Sequence, residues 1–391
     1  MTQTEPITRT LKVYDFDLLE YTPSKNNEGN FVCHIEKVYD ENKWRLPLDL
    51  ELTDVGLEKW IRKRTIPKNR AYVDNFLSKV GLNLKHTQSV IDICFGMSLN
   101  DSFWIAPEGF SEPFSNCNLY ENKFTDFISE IAFNGIGSFS HPGTTTSPEF
   151  TTGGMLPKAW RKIDGDTYLY KGGTSGFANA GNEPYSEYYA SQIARALGYN
   201  STEYDLELWK EQICSVCKLW TNIDLSYISI GRLVKHGGME GVLEFYKQLD
   251  EENELVGTDM SFEKSLSNLL ILDAIIINED RHFGNFGVLI DSHKNKIIKP
   301  APIFDNGLSL LWSGMSDDLE NWREFMSERL PKAYDDFVVT AKKFSTADDI
   351  KNVEKLIDFK FVRHPEHNLP EERLVCLEEL VQHQVRELLK V

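Results

Sequence analysis

The sequence predicts an α+β chain in two lobes: a smaller one with an antiparallel sheet over about residues 88–210 and a mainly helical one over 211–391. A module of short strands and a basic helical segment, residues 1–87, precedes them. Three observations lead there. The chain is 391 residues long with 41% hydrophobic and 26% charged residues, enough for more than one core. Its first half breaks into short apolar stretches punctuated by Gly and Pro, as small sheets do. Its second half holds the long helical runs "SFEKSLSNLLILDAIII" and "RLVCLEELVQHQVRELL".

Taken in order, "FVCHIEKVYD" and "RLPLDLEL" read as short extended stretches. Asp54 caps a helix carrying Leu57, Trp60 and Ile61, and after Pro67 a second helix runs to Gly81. "SVIDICFG" reads as a strand or short helix and "SFWIAP" as extended. Phe124, Phe127, Ile128 and Ile131 recur at helical intervals. "GIGSFSHPGTTTSPEFTTGGMLPKAW" is dense in Gly, Ser, Thr and Pro and must be loop or hairpin. "TYLYKGG" is a strand, and "PYSEYYASQIARALGY" a helix with Pro184 near its start and Gly198 as C-cap.

Further on, "YISIGRLV" reads as a strand. Leu266, Leu269, Leu270, Asp273, Ala274 and Ile277 make a helix apolar on more than one side. "FGVLID" and "KIIKPAPIF" form a hairpin across "SHKNK". The final helix, starting near Pro370, buries Leu374, Leu377, Val381, Val385 and Leu388.

Composition excludes several classes. No run of 18 apolar residues occurs and the N-terminus has no basic-then-apolar leader pattern, so a cytoplasmic chain is expected. Six irregularly placed cysteines are no disulfide scaffold, and "ELWKEQICSVCKLW" places Cys214 and Cys217 on one face of a helix, as packing residues. A net charge of −18 disfavours a broad polyanion surface. "EKWIRKRTIPKNR", the conspicuous basic patch, reads as a solvated helix face or a contact within the chain, with a DNA-reading helix pair as the alternative.

The polar knot "NEDRHFGNFG" sits between the apolar "LLILDAIII" and the strand "VLI". Asp280, Arg281, His282 and Asn285 are thereby held at both ends, and Asp305 in "PIFDNGLSL" follows the second strand of the hairpin. Each alone is an ordinary turn residue. Together, Asp280, Asn285 and Asp305 converge at one hairpin edge and offer oxygens suited to Mg²⁺, which takes few protein ligands plus phosphate. The order acid, asparagine, hairpin, acid is what phosphoryl transfer requires: a carboxylate to take the hydroxyl proton, then an amide and a carboxylate for the metal. "TTGGMLPK" lays Gly153 and Gly154 over phosphates with Lys158 adding charge, and Glu187 pairs with Lys171 of "YLYKGG".

"NEDRHFGNFGVLI" and "PIFDNGLSL", with "TTGGMLPKAW", "YLYKGG" and "SEYYASQIARALGY", resemble the catalytic, metal-binding, phosphate-loop, lysine and N-lobe helix segments of HipA-like serine/threonine kinases, over about residues 130–390. The resemblance implies a two-lobed, protein kinase-like fold with a small mixed N-lobe and a mainly helical C-lobe. It implies ATP- and Mg²⁺-dependent transfer to a serine or threonine of a protein, with Asp280 as catalytic base and Lys171 on ATP. Asn285 and Asp305 would be the Mg²⁺ ligands. Gly153, Gly154, Lys158, Glu187 and His282 would complete the nucleotide site, His282 within the family's "DRH". Such proteins act in toxin-antitoxin modules with a small DNA-binding antitoxin and are switched off by autophosphorylation, for which Thr144, Thr145, Thr146, Ser147, Thr151 and Thr152 are candidates. Residues 1–85 lie outside the resemblance, and the HRD and DFG of ordinary protein kinases are absent. A small-molecule kinase and a non-catalytic, DNA-associated regulator are the alternatives; direct nucleic-acid or membrane binding by the kinase itself is not expected.

Overall fold

A computed structural model of the chain describes residues 7–79, 87–123, 129–130, 132–133, 147–176 and 178–390. The chain packs as two compact units, one of Met1–Leu169, Leu219–Tyr227 and Ile290–Lys296, the other of Tyr170–Lys218, Ile228–Leu289 and Ile297–Val391. Among the described residues no helix is long and apolar enough to cross a membrane.

In the first unit β1 (Arg9–Val13), β2 (Phe16–Lys25), β3 (Phe31–Val38) and β4 (Phe103–Pro107) form an antiparallel sheet in the order β3-β2-β1-β4. Alternation along β1 turns Leu11 and Val13 inward. The helix Asp54–Arg62 covers them with Leu57, Trp60 and Ile61. Thr53, not Asp54, is its N-cap, accepting from the Gly56 N–H at 3.0 Å. Asp54 instead takes the Ile35 N–H at 2.8 Å, joining the helix to β3.

"RLPLDLEL" forms no strand. A 3₁₀ turn, Asp40–Arg45, is followed by a loop whose Leu46, Leu50 and Leu52 pack on the core, so alternating leucines serve a loop broken by Pro47. "SVIDICFG" is the helix Thr87–Cys94. The helix expected over Phe124–Ile131 and the Gly81 terminus lie outside the described residues, apart from helical Ser129 and Glu130.

In the second unit Cys214 and Cys217 lie on the strand Gln212–Lys218, which pairs antiparallel with Asp205–Trp209. Lys210 and Glu211, both at positive φ (51° and 63°), turn this hairpin, and β-branched Ile213 and Val216 favour the strand over the expected helix. A spacing of three then sends the two thiols to opposite faces. Among the described residues none of the six cysteines forms a disulfide. "YISIGRLV" is a strand only to Ser229; Ile230–Leu233 is a helical turn.

The helix Phe262–Ile276 is capped by the Ser261 hydroxyl, which accepts from the Lys264 N–H at 3.0 Å. It is buried all round, with Leu266, Leu270, Ile271, Leu272 and Ile275 inside, and ends at Ile277 with φ 52°. The C-terminal helix Glu371–Leu389 buries Leu374, Leu377, Val381, Val385 and Leu388. The strands Gly287–Asp291 and Lys296–Pro300 are neighbours across the "SHKNK" turn. Gly287 permits a close approach: a Cβ there would stand 2.1 Å from the Ile228 carbonyl oxygen.

Candidate active site

A charge buried in an apolar helix needs a partner, and Asp273, fully buried within "LLILDAIII", has Arg281. Arg281 Nε and Nη2 grip the two Asp273 oxygens at 2.9 and 3.0 Å. Its Nη1 donates to the carbonyls of Asn285 and Phe304, both at 2.8 Å, and Nη2 to Asn306 Oδ1 at 2.7 Å. One guanidinium therefore bolts the 280–285 loop to the 304–306 loop. Backbone bonds repeat the join, from Glu279 N–H to Leu308 O at 3.1 Å and from Leu310 N–H to Ile276 O at 2.7 Å.

Lys171, near the end of the strand Asp166–Gly172, forms ion pairs with both Glu187 and Asp305. Glu187, on the helix Glu183–Leu197, also accepts the Ser215 hydroxyl. That helix is tied to the segment after Asp305 by Ser186 Oγ, which donates to Ser309 O at 2.9 Å. Asp305 has φ 59°, a left-handed conformation costing about 1 kcal/mol in a non-glycine residue, and the surrounding bonds hold it there. Its N–H donates to Tyr204 Oη at 3.3 Å. Burial alone would lower the Lys171 pKa, but the carboxylates of Asp305 and Glu187 outweigh it and raise it, so the ammonium is fixed.

Asp280 lies on the loop that Arg281 anchors to the 304–306 segment. Its carbonyl accepts from Asn285 Nδ2 at 3.3 Å, and its Oδ1 accepts from the Lys332 ammonium at 2.8 Å. His282 Nδ1 accepts the Gly284 N–H at 2.9 Å while its Nε2 stands 4.0 Å from Asp280 Oδ2, so the histidine shapes the loop from within.

The glycine loop belongs to the first unit. Gly154 has φ 87°, and a Cβ on it would lie 2.2 Å from Lys158 Nζ, so the lysine folds back over a position whose backbone favours glycine. Arg70 straps this loop: Nη2 donates to Glu149 Oε2 at 2.9 Å and to Lys158 O at 2.7 Å, and Nη1 to Thr152 O at 3.0 Å. Arg64 is buried too, bidentate on Asp101 at 2.8 Å with further bonds to Gly96 O and Phe103 O. Arg64 and Arg70 of the basic patch are thus engaged within the chain, as the reading of a contact within the chain expects for these two residues. Ser147 and Thr151 are buried, and the Thr151 hydroxyl donates to Met97 O at 2.7 Å. Thr152 donates to Pro148 O at 2.7 Å, and Thr144, Thr145 and Thr146 lie outside the described residues.

No family model matches this sequence, and no curated protein does. Among solved structures the chain is similar to HipA of Shewanella oneidensis MR-1, from a toxin-antitoxin system and solved with HipB and its operator DNA. The two share 11% identity over 97% of this chain and 96% of that one, with a TM-score of 0.52. The fold is HipA-like. A second similar structure is the Helicobacter pylori proinflammatory kinase CtkA, at 17% identity over 59% of this chain and 90% of that one, with a TM-score of 0.45.

The residues of one unit offer oxygen donors that would suit a divalent cation. Glu187 and Asp305 set two carboxylates around the Lys171 ammonium, leaving negative charge for a cation to balance. The Asn285 amide nitrogen is engaged, and its side-chain oxygen accepts no hydrogen bond from the described residues. No group of three or more His, Cys, Asp or Glu suited to a metal occurs among the described residues, so a cation here would draw further ligands from phosphate and water.

Sequence reasoning missed the Arg281 network, Ser215 and Lys332. For Arg281 a signal existed: Asp273 in an apolar run demands a cation, and Arg281 stands eight positions on. Lys332 lies 52 residues from Asp280, and nothing local marks it.

Proposed function

We propose that the chain is an ATP- and Mg²⁺-dependent kinase that phosphorylates a serine or threonine hydroxyl of a protein. The observation that carries this reading is Lys171 ion-paired with both Glu187 and Asp305, on a loop that Arg281 joins to Asp280 and Asn285. A fixed ammonium beside two carboxylates suits a polyphosphate that carries a divalent cation, and the Asp280 carboxylate suits taking a proton. Asn285 and Asp305 would hold Mg²⁺, which when bound neutralises phosphate charge. Lys171 orients the nucleotide, Glu187 and Ser215 hold Lys171 in place, and Asp280 accepts the proton of the acceptor hydroxyl as its oxygen attacks the γ-phosphorus and ADP departs. Gly153, Gly154 and Lys158 are read as the phosphate loop, strapped by Arg70. With Ser147 and Thr151 buried, Thr144, Thr145, Thr146 and Thr152 remain as autophosphorylation candidates.

The protein acceptor and a small DNA-binding, HipB-like partner are proposed from the likeness to HipA. Incubation with γ-labelled ATP, Mg²⁺ and cell lysate tests the acceptor: Mg²⁺-dependent label in protein supports the reading. Label confined to small molecules would move it to a metabolite kinase, and absence of turnover would contradict it. Co-purification of a small DNA-binding protein with the tagged chain tests the partner.

A further inference from the structure

The Asp280 carboxylate already has a neighbour. Lys332 donates to its Oδ1 at 2.8 Å, and the Lys332 backbone N–H donates to Glu279 O at 3.1 Å. Arg329 Nη1 stands 3.7 Å from the Glu279 carboxylate, and Tyr334 Oη donates to Asp273 Oδ2 at 3.4 Å. The segment 329–334 is therefore fastened at four points to the helix end and loop that carry Asp280. The ammonium itself stays accessible, its side chain 59% exposed, and such a pair adds little to stability. The anchoring needs another reason. Of the other cations read into the site, Lys171 is held between two carboxylates and Arg281 is sealed against Asp273. Neither is free to follow charge that builds on the acceptor side.

We propose that Lys332 is a catalytic residue of phosphoryl transfer, its ammonium contacting the phosphoryl group as it passes to the acceptor. This rests on reading Asp280 as the base. The acceptor O–H proton goes to Asp280 Oδ2, the hydroxyl oxygen's electron pair forms the new O–P bond, and the O–P bond to ADP breaks with its pair leaving on ADP. A hydroxyl within hydrogen-bond reach of Asp280, roughly 2.6–3.2 Å, brings the phosphorus it attacks beside the same carboxylate that Lys332 touches. A flexible four-carbon stem lets the ammonium leave Oδ1 for the equatorial oxygens, where a preorganised cation lowers the barrier.

The test compares the full-length protein with Lys332→Ala, Lys332→Met and Lys332→Arg. Turnover of γ-labelled ATP, to water and to lysate protein, is read beside calorimetric affinity for ADP with Mg²⁺. The Ala and Met variants are expected to lose roughly 10²-fold in turnover with ADP affinity within about threefold, and Arg to recover part of the loss. Ala and Met variants turning over within threefold of wild type, while Asp280→Asn is impaired, would overturn the role of Lys332 and leave the base in place. A wild type that neither turns over ATP nor binds ADP with Mg²⁺ would overturn the kinase reading and this proposal together.

Discussion

Arg281 and Asp273 form a fully buried, two-pronged ion pair, 2.9 and 3.0 Å long, beneath the loop of Asp280. Breaking such a pair leaves one charge sealed without compensation. Arg281→Met is therefore expected to cost about 3–5 kcal/mol, read as a drop in the urea unfolding midpoint. A midpoint within error of wild type would show that the pair does not hold these loops.

Asp305 is expected to carry metal-dependent nucleotide binding. Asp305→Ala leaves Asn285, which has no charge to offset a divalent cation, so calorimetry should find the Mg²⁺-dependent part of ADP affinity gone. Lys171→Ala should weaken binding with the fold intact by circular dichroism. Equal affinity in wild type and Asp305→Ala would remove Asp305 from the metal site.

Glu378 supplies a pH prediction away from the site. Burial alone would raise its pKa, but Lys360 at 2.8 Å, Arg363 at 2.6 Å and the Phe361 N–H at 3.1 Å hold it below the ordinary value. A carboxyl depressed in the folded state contributes stability that is fully present above its unfolded pKa, about 4.3, and is lost as pH falls through the folded value. Glu378→Gln should lower stability at neutral pH and flatten the acid limb of the stability curve below about pH 5. An unchanged limb would assign the acid sensitivity elsewhere.

Gly154 tests the phosphate loop. Alanine there meets a left-handed backbone and the Lys158 ammonium together. Gly154→Ala should raise the KM for ATP more than it lowers stability, whereas Gly165→Ala, also left-handed (φ 90°) but with nothing within 4 Å of its Cβ, should leave that KM near wild type. Equal effects would separate the loop from ATP.

Much of this was legible because local chemistry and tertiary role coincide. Ser261 caps a helix whose apolar period is unbroken, and Gly198 closes another in the left-handed conformation, φ 77°. Lys171 and Glu187 were legible as a pair because a strand lysine before Gly172 is followed sixteen residues later by a helix glutamate, and Asp305 because it follows the second strand of a hairpin. What was not legible depends on distant neighbours. The Cys214–Cys217 spacing fits a helix equally well until the Lys210–Glu211 turn pairs the strand with its partner. The arginines of the basic patch look solvated until Asp101 and Glu149, 37 and 79 residues away, are seen to meet them.

Asp280 carries the central claim, and Asp280→Asn tests it most directly. The substitution keeps the side chain's size and the backbone contact with Asn285 while removing the proton acceptor. Pre-steady-state transfer of label from γ-labelled ATP should fall by roughly 10²-fold or more, with calorimetric affinity for ADP and Mg²⁺ close to wild type. Transfer at a near-wild-type rate by the folded Asp280→Asn protein would contradict the account and leave "NEDRHFGN" a structural turn.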